Sequence, residues 1–334
     1  MSIEVTTDLN LVDTAQIVDG SVTSAKIAAG SVGTSAISSG SATSGQFLQA
    51  NGLGAALFAT LPSTVSVSEF TTSGTWTKPA GATAVYVMAV GAGGGGGGSG
   101  TSNGGGGGSG GLIISRLFPA SILGSTASVT IGAAGIGGSA ATSVNTGGAG
   151  TAGGATIFGS NNTQIYSYGG TNGAGGSTTL TYRFNTNSYY VARVDTGGST
   201  TAPTVRDIEG RGGVAGDTTT AALKNAMDGV NNCGGGGGGG STSQSAGGRG
   251  GKGFGIVDNI TAPAGGTSGV AGTSATNDFT GGGGGGYGTA SLNGANGGNG
   301  QMGGGGGGAG GGSSTNIGGT GGNGGSGYCL VVSW

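Results

Sequence analysis

Short apolar strands alternate with long glycine-rich stretches along this chain. The segment Ala84–Val90 (AVYVMAV) is apolar or aromatic at every position, so both faces of an extended strand would carry apolar side chains. Continuous runs of this kind are typical of strands that are buried on both faces. Further strands are expected at residues 112–117 and in the closing residues 327–334, GYCLVVSW. The pattern predicts a mostly β and irregular protein.

A ten-residue repeat occupies residues 13–42 and reads in register as DTAQIVDGSV, TSAKIAAGSV and GTSAISSGSA. Three positions recur in every copy of the repeat: Ile17, Ile27 and Ile37; Gly20, Gly30 and Gly40; and Ser21, Ser31 and Ser41. One apolar residue per repeat cannot bury itself within a single chain, because each repeat needs neighbours to cover it. The repeat therefore predicts association with identical chains.

Glycine supplies 91 of the 334 residues, more than a quarter of the chain, whereas ordinary globular proteins contain about 7%. A glycine-rich chain without strict repetition is ordinarily flexible, and flexible linkers are one interpretation of these stretches. The strands that interrupt the glycines favour a folded protein instead, because disordered chains are poor in β-branched and aromatic residues.

Five uninterrupted glycine runs have similar lengths: Gly93–Gly98, Gly104–Gly108, Gly234–Gly240, Gly281–Gly286 and Gly303–Gly308. Ordering a glycine costs roughly 1 kcal/mol more than ordering an alanine, so a rigid run needs contacts that only glycine permits. An extended helix with three residues per turn points its amides outward, where a neighbouring backbone can pair with them. We expect packed polyglycine II helices. Triplets such as GGT-GGN-GGS at residues 318–326 would then place Asn and Ser on one solvent-facing edge.

Two segments resemble parts of bacteriophage tail fibres. Residues 44–60, SGQFLQANGLGAALFAT, resemble a fibre connector, and residues 69–98 resemble the opening of the glycine-rich domain found in many phage fibres. The connector is matched at Gly45, Gln46, Leu48, Asn51, Gly52 and Gly54, with Phe58 at the usual aromatic position. The domain is matched at Phe70, Gly74, Thr75, Trp76, Pro79 and Gly81. The likeness covers nearly the whole chain except residues 178–232.

The resemblance implies a virion protein, assembled in the host cytoplasm, that serves as a tail fibre or adhesin. It would bind a host surface polysaccharide or outer-membrane protein during adsorption. A trimeric stem at residues 1–66 would attach through its N-terminus to other tail or baseplate proteins. A glycine-rich domain at residues 67–334 would follow, with a less glycine-rich insert at about 178–232. The alternative function is that of a purely structural head or tail decoration fibre.

The residue types argue against catalysis. The chain contains no histidine, which removes Ser-His-Asp and Cys-His triads and nearly every catalytic zinc arrangement. Asp207 and Glu209 would share one face of a strand, as a glycosidase pair requires, but Arg206 and Arg211 flank and neutralise them. We therefore expect no enzyme activity, no cofactor and no metal.

Charge and cysteine content further narrow the class of protein to which this chain can belong. Ten basic residues stand against twelve acidic ones, so no basic stripe is available for a nucleic acid. The sequence also lacks an apolar run of about 18 residues that would insert into a membrane. Cys233 and Cys329 are the two cysteines. One bridge between them and two free thiols are both open, and free thiols are the simpler interpretation.

The insert at about 178–232 interrupts the glycine-rich sequence and carries the candidate recognition residues. Tyr182, Arg183, Tyr189 and Tyr190 lie close together in sequence, and Tyr and Arg are the side chains most enriched at binding hot spots. The competing interpretation is that these aromatic residues fill a small hairpin core. We take the four residues as the predicted receptor contacts.

Overall fold

The computed structural model of this chain describes residues 46–50, 56–60, 65–101, 103–141, 147–160, 163–176, 193–194, 233–241, 246–252, 262–289, 291–313 and 317–334. The chain divides into two compact units, Met1–Leu61 and Pro62–Trp334. The ten-residue repeat lies outside the described residues. Of the insert at 178–232, only Arg193–Val194 is described.

The described part of the first unit is one antiparallel strand pair. Strand β1 (Gln46–Ala50) runs opposite β2 (Ala56–Thr60), with Gln46 facing Thr60 and Ala50 facing Ala56. Both strands fall in the connector segment that the sequence singled out.

Short strands joined by glycine-rich segments make up the second unit, and its described residues contain almost no helix. The strands are β3 (Ser66–Phe70), β4 (Gly74–Thr77), β5 (Ala84–Val90), β6 (Ile113–Pro119), β7 (Thr126–Thr130), β8 (Thr156–Phe158), β9 (Ile165–Ser167), β10 (Arg193–Val194) and β11 (Tyr328–Ser333). A 3-10 turn, Ala120–Ile122, follows β6. The prediction of a mostly β fold is confirmed.

The strands form two antiparallel sheets. The four-stranded sheet has the order β3-β11-β5-β6, so the last strand lies between two of the earliest. The five-stranded sheet has the order β10-β9-β8-β7-β4. Side chains from both sheets share one core, in which the rings of Trp76 and Phe158 lie 5.8 Å apart. The sheets therefore pack face to face around a small aromatic and aliphatic centre.

Strand β5 shows where the sequence prediction of two buried faces fails. Val85, Val87 and Ala89 are completely buried against the second sheet. Tyr86 and Met88, which point to the opposite face, are only half-buried. The second sheet covers one side of β5, and no described element covers Tyr86 in the same way. Burial on both faces is thus wrong for the first half of the strand.

Both cysteines are buried free thiols, so the bridge between them is not formed. Burial raises the pKa of the Cys329 thiol to about 12 and raises the pKa of Cys233 as well, because the charged thiolate loses its solvation. Cys233 packs with Val90 and Tyr328 in a second apolar cluster, where the glycine-rich segments meet the four-stranded sheet.

We expect the two thiols to make the protein less stable in alkali. Below pH 9.0, the ordinary thiol value, both the folded and the unfolded chain hold the protons. As the pH rises from about 9 towards 12, only the unfolded chain loses them, so the free energy of unfolding should fall by up to about 1.4 kcal/mol per pH unit for each thiol. Melting temperatures measured across this range should show the slope.

The matched control for the alkaline slope is the Cys233→Ala/Cys329→Ala double variant. Its free energy of unfolding should be lower than the parent's at pH 8, and it should fall less steeply between pH 9 and 12 because no thiol remains to titrate. Iodoacetamide should leave both native thiols unmodified at pH 8 and modify both in denaturant. Rapid labelling of the native protein at pH 8 would contradict the burial of the thiols.

Candidate functional site

The glycine segment at 92–100 makes its backbone hydrogen bonds to other segments, and the partner segment changes with each residue. The donations repeat every three residues, so that three sets of N–H groups point to three different neighbours. The donor and acceptor pairs are Gly93 to Gly325, Gly96 to Gly322 and Ser99 to Gly319; Gly94 to Ser109, Gly97 to Gly106 and Gly100 to Asn103; and Ala92 to Gly154, Gly95 to Thr151 and Gly98 to Gly148.

The carbonyl groups of the same segment follow the same period. They accept hydrogen bonds from backbone N–H groups of three other segments. The donors are Gly135, Gly138 and Ala141 in the first segment, Gly170, Gly173 and Gly176 in the second, and Gly306, Ala309 and Gly312 in the third. The segments that accept from 92–100 run antiparallel to it, and the segments that donate to it run parallel. Residues 92–100 therefore have six neighbouring segments, all joined to them by backbone hydrogen bonds; Ser99 Oγ adds one side-chain donation to the Gly319 carbonyl.

Two further segments, 281–288 and 303–312, have the same surroundings. The N–H groups of Gly282, Gly285 and Gly288 donate to 305–311, and those of Gly306, Ala309 and Gly312 donate to 94–100. These three segments form a central row. One side of the row bonds to 132–141, 270–275, 294–301 and 317–327, and the other bonds to 104–111, 170–176, 233–240 and 246–252. We call this three-layered array, together with 147–154 and 262–269 at its edges, the glycine lattice.

The lattice excludes side chains. A Cβ atom added at Gly96 would lie closer than 3.0 Å to the carbonyl group of Gly307, and one added at Gly307 would lie as close to that of Gly283. Real Cβ atoms essentially never come this near to backbone atoms, so alanine fits at neither position unless the segments move apart. The same holds for most glycines of the lattice. Glycine is required here by the close approach of backbones.

One outer layer of the lattice carries side chains at every third residue. In 317–327, the exposed residues are Ile317, Thr320, Asn323 and Ser326, and the glycines between them are buried or half-buried. The expectation that Asn and Ser of the 318–326 triplets face solvent is confirmed. We call the surface formed by 132–141, 270–275, 294–301 and 317–327 the ladder face.

Side-chain oxygens on the ladder face accept hydrogen bonds from the amides of the adjacent segment. Asn299 Oδ1 accepts a hydrogen bond from the backbone N–H of Asn323 at 2.9 Å. Asn323 Oδ1 accepts one from the backbone N–H of Gly137 at 2.8 Å. Ser274 Oγ accepts from the Asn299 amide at 3.0 Å. These bonds satisfy outward-pointing donors at the surface, where the lattice has no further neighbour.

The strands join the lattice at one end. Residue 91 links β5 to 92–100, while 104–111 leads into β6 and 317–327 into β11. At the opposite end the segments reverse direction in turns, and we call their described residues the far-end surface: 100, 101, 103, 267–270, 288, 289 and 291–293, with Ile317. Gly176, whose amide donates to Gly98, also lies at that end and directly precedes the insert.

Apolar side chains are exposed on the far-end surface. Val270, Leu292 and Ile317 are each about half exposed. Leu292 lies over Gly269, where an added Cβ would be 2.8 Å from Leu292 Cδ1, and the Gly294 amide donates to the Ile317 carbonyl at 2.9 Å. Backbone bonds hold the turns, as in Val270 N–H to Thr267 O at 2.9 Å. Sequence reasoning missed these residues, although isolated apolar residues at the ends of glycine triplets were an available signal.

The predicted contact residues Tyr182, Arg183, Tyr189 and Tyr190 lie outside the described residues, as do Asp207 and Glu209. Among the residues that the structure describes, no group of His, Cys, Asp and Glu is placed to hold a metal ion. In the same residues, no helix is long and apolar enough to cross a membrane.

Fold and lattice together define a mostly β domain that glycine backbones hold together. Residues 64–334 match the glycine-rich domain family, and the chain belongs to this family. None of the curated proteins matches the chain. The expected resemblance to a glycine-rich domain is thereby confirmed at the level of the domain.

Gly96→Ala should destabilise the protein by about 2 to 3 kcal/mol or more, because the methyl group overpacks the centre of the lattice. Chemical denaturation followed by circular dichroism measures the change. Gly74→Ala is the matched control. In β4 the nearest atom to its added Cβ is a Phe70 ring carbon at 3.6 Å, so its effect should stay within about 1 kcal/mol. Equal midpoints for the Gly96 variant and the parent would contradict the close packing.

Proposed function

We propose that this protein is a receptor-binding tail fibre of a bacteriophage, in which the glycine lattice holds recognition loops at its far end. The observation that carries the proposal is that main-chain atoms, and not the side chains of the turns, hold the lattice together. Backbone hydrogen bonds hold the segments together, and the bonds that reach the far-end turns, such as Gly269 N–H to Tyr287 O and Gly286 N–H to Val270 O, use main-chain atoms alone. Turn sequences can then change without loss of the scaffold, which suits a protein that must adapt to new host surfaces.

The glycine segments would be polyglycine II helices. Their hydrogen bonds repeat every three residues and all lead to neighbouring segments, which is the pattern expected for an extended helix with three residues per turn and no internal bonds. A six-glycine run would then span roughly 19 Å. In this geometry the lattice would be a bundle of rigid helices, and it would hold the turns at its end in fixed positions.

The recognition surface would combine the far-end surface with the insert. The insert follows Gly176, which lies at the far end, so Tyr182 and Arg183 are only a few residues along the chain from that surface. With Tyr189 and Tyr190 they would supply flat faces that stack on sugar rings or on exposed protein side chains. Val270 and Leu292 would add apolar contact area.

A rigid platform would also lower the cost of binding. Turns that are already ordered lose little conformational freedom when they meet a receptor, so a small contact suffices. Several fibres on one virion would multiply weak contacts into firm attachment. Residues 1–66 would form a trimeric stem that joins the domain to other tail or baseplate proteins. We propose no enzyme activity, no cofactor, no nucleic acid partner and no membrane insertion for this protein.

The Tyr189→Ala/Tyr190→Ala double variant should lose binding to host cells while keeping the oligomer size and circular dichroism spectrum of the parent protein. Binding is measured with labelled protein on cells of the virus's host. Normal binding by the folded double variant would move the recognition surface away from these tyrosines. Unfolding of the variant would show that the tyrosines fill a core.

Leu292→Asp at the far-end surface should weaken cell binding at least about fivefold, because a charge replaces an apolar contact. Ile136→Asp is the matched control: Ile136 is 65% exposed and Leu292 50%, but Ile136 lies on the ladder face. The control should bind normally. If saturating soluble parent protein leaves adsorption of the virus unchanged, the alternative of a purely structural decoration fibre is correct.

A further inference from the structure

An apolar row crosses the outer face of the four-stranded sheet, the face turned away from the aromatic core. The strand register places Val67 beside Val332, Val332 beside Tyr86, and Tyr86 beside Leu117. Directly paired residues project from the same face of a sheet. Val67 is 58% exposed and Leu117 is 56% exposed, while the two residues between them are half-buried.

The row continues at one end of the sheet. Alternation along a strand puts Val65 on the same face as Val67, and Trp334 on the same face as Val332. Val65 is 64% exposed and Trp334 is 39% exposed, and Trp334 and Ala84 exchange backbone hydrogen bonds. Large exposed apolar side chains in contiguous positions mark an interaction surface, since soluble monomers rarely leave such patches open.

The other end of this outer face is already covered. Phe279, Met302 and Cys233, all from glycine-lattice segments or their turns, pack against the cluster that includes Tyr328, Leu330 and Met88. The lattice thus covers the end of the face from which it extends, and the apolar row begins where this cover stops. The uncovered part is distinct from the far-end surface, which lies at the opposite end of the lattice.

Two features of the chain indicate what covers the row. The repeat at 13–42 predicts association with identical chains, and the described part of the domain begins at Val65, within the exposed part of the face. Copies joined through the repeat would be tethered to one another, which raises the local concentration of this face around the same face of another copy. Among the described residues of the strands on this face, Glu69 on β3 is the one carboxylate, and it pairs with Leu330, two residues along the strand from Val67.

We infer that the outer face of the four-stranded sheet packs against the sheet of another copy of this chain, through Val65, Val67, Leu117 and Trp334. This inference goes beyond receptor binding, since it assigns the surface by which domains associate. It gives the domain its own contact with neighbouring copies, in addition to the repeat.

Charge substitutions on the row test the contact in the full-length chain. Light scattering over a dilution series gives the concentration at which the oligomer dissociates. Val67→Glu and Leu117→Glu should each raise that concentration at least about tenfold. Ile136→Glu, equally exposed on the ladder face, should leave it unchanged. A parent chain that is monomeric at all concentrations would overturn the inference, and so would unchanged dissociation in both row variants.

Thiol labelling provides a second test, which does not depend on a disruptive charge. The native cysteines are buried, so maleimide reports mainly on an introduced thiol. Val67→Cys should label at least about tenfold more slowly than Ile136→Cys in the oligomer, and equally fast after dilution to monomer. Equal rates in the oligomer would overturn the inference. Slow labelling that persists in the monomer would also overturn it, because a segment of the same chain would then cover the row.

Discussion

Close contact between glycine backbones is the constraint on which the domain depends. Each residue of 92–100 sends its amide to a different neighbour from the residue before it, and the pattern repeats after three residues. This arrangement is possible only if the chains approach until a carbonyl oxygen occupies the place of a Cβ, as at Gly96. The entropy lost in ordering so many glycines is offset by pairing nearly all backbone N–H and C=O groups of the central row while burying only a few small side chains.

The lattice and the sheets stabilise the domain in different ways. Between the sheets, Trp76, Phe118 and Phe158 form an ordinary apolar core. In the lattice the buried volume is mostly peptide groups, with a few small buried side chains such as Ser99 and Ala309, and larger side chains are found mainly where a segment reaches the surface or a strand. Asn299 and Asn323 show this at the ladder face. Among the described residues no further segment lies there, and their side-chain oxygens accept the hydrogen bonds that backbone carbonyl groups accept inside the lattice. A single sequence thus encodes two kinds of interior, joined at β5, β6 and β11.

Sequence reasoning predicted the parts of this structure that depend on local pattern. The strands at 84–90, 113–119 and 328–333 follow from apolar runs, and the solvent-facing Asn323 and Ser326 follow from the triplet period. It could not predict which glycine run lies beside which, because runs of identical residues carry no information on partner or register. It also missed the half-exposed face of Tyr86 and the far-end residues Val270 and Leu292, since their exposure depends on where the lattice ends.

The position of β11 has a consequence for synthesis. This strand lies between β3 and β5, so residues 66–70 and 84–90 have no partner on that side until residues 328–333 have left the ribosome. Pairing over such a sequence separation is slow, because the loop must close before contacts form. The four-stranded sheet therefore closes only after residues 328–333 are available. A chain without them leaves β3 and β5 unpaired on the side that β11 occupies.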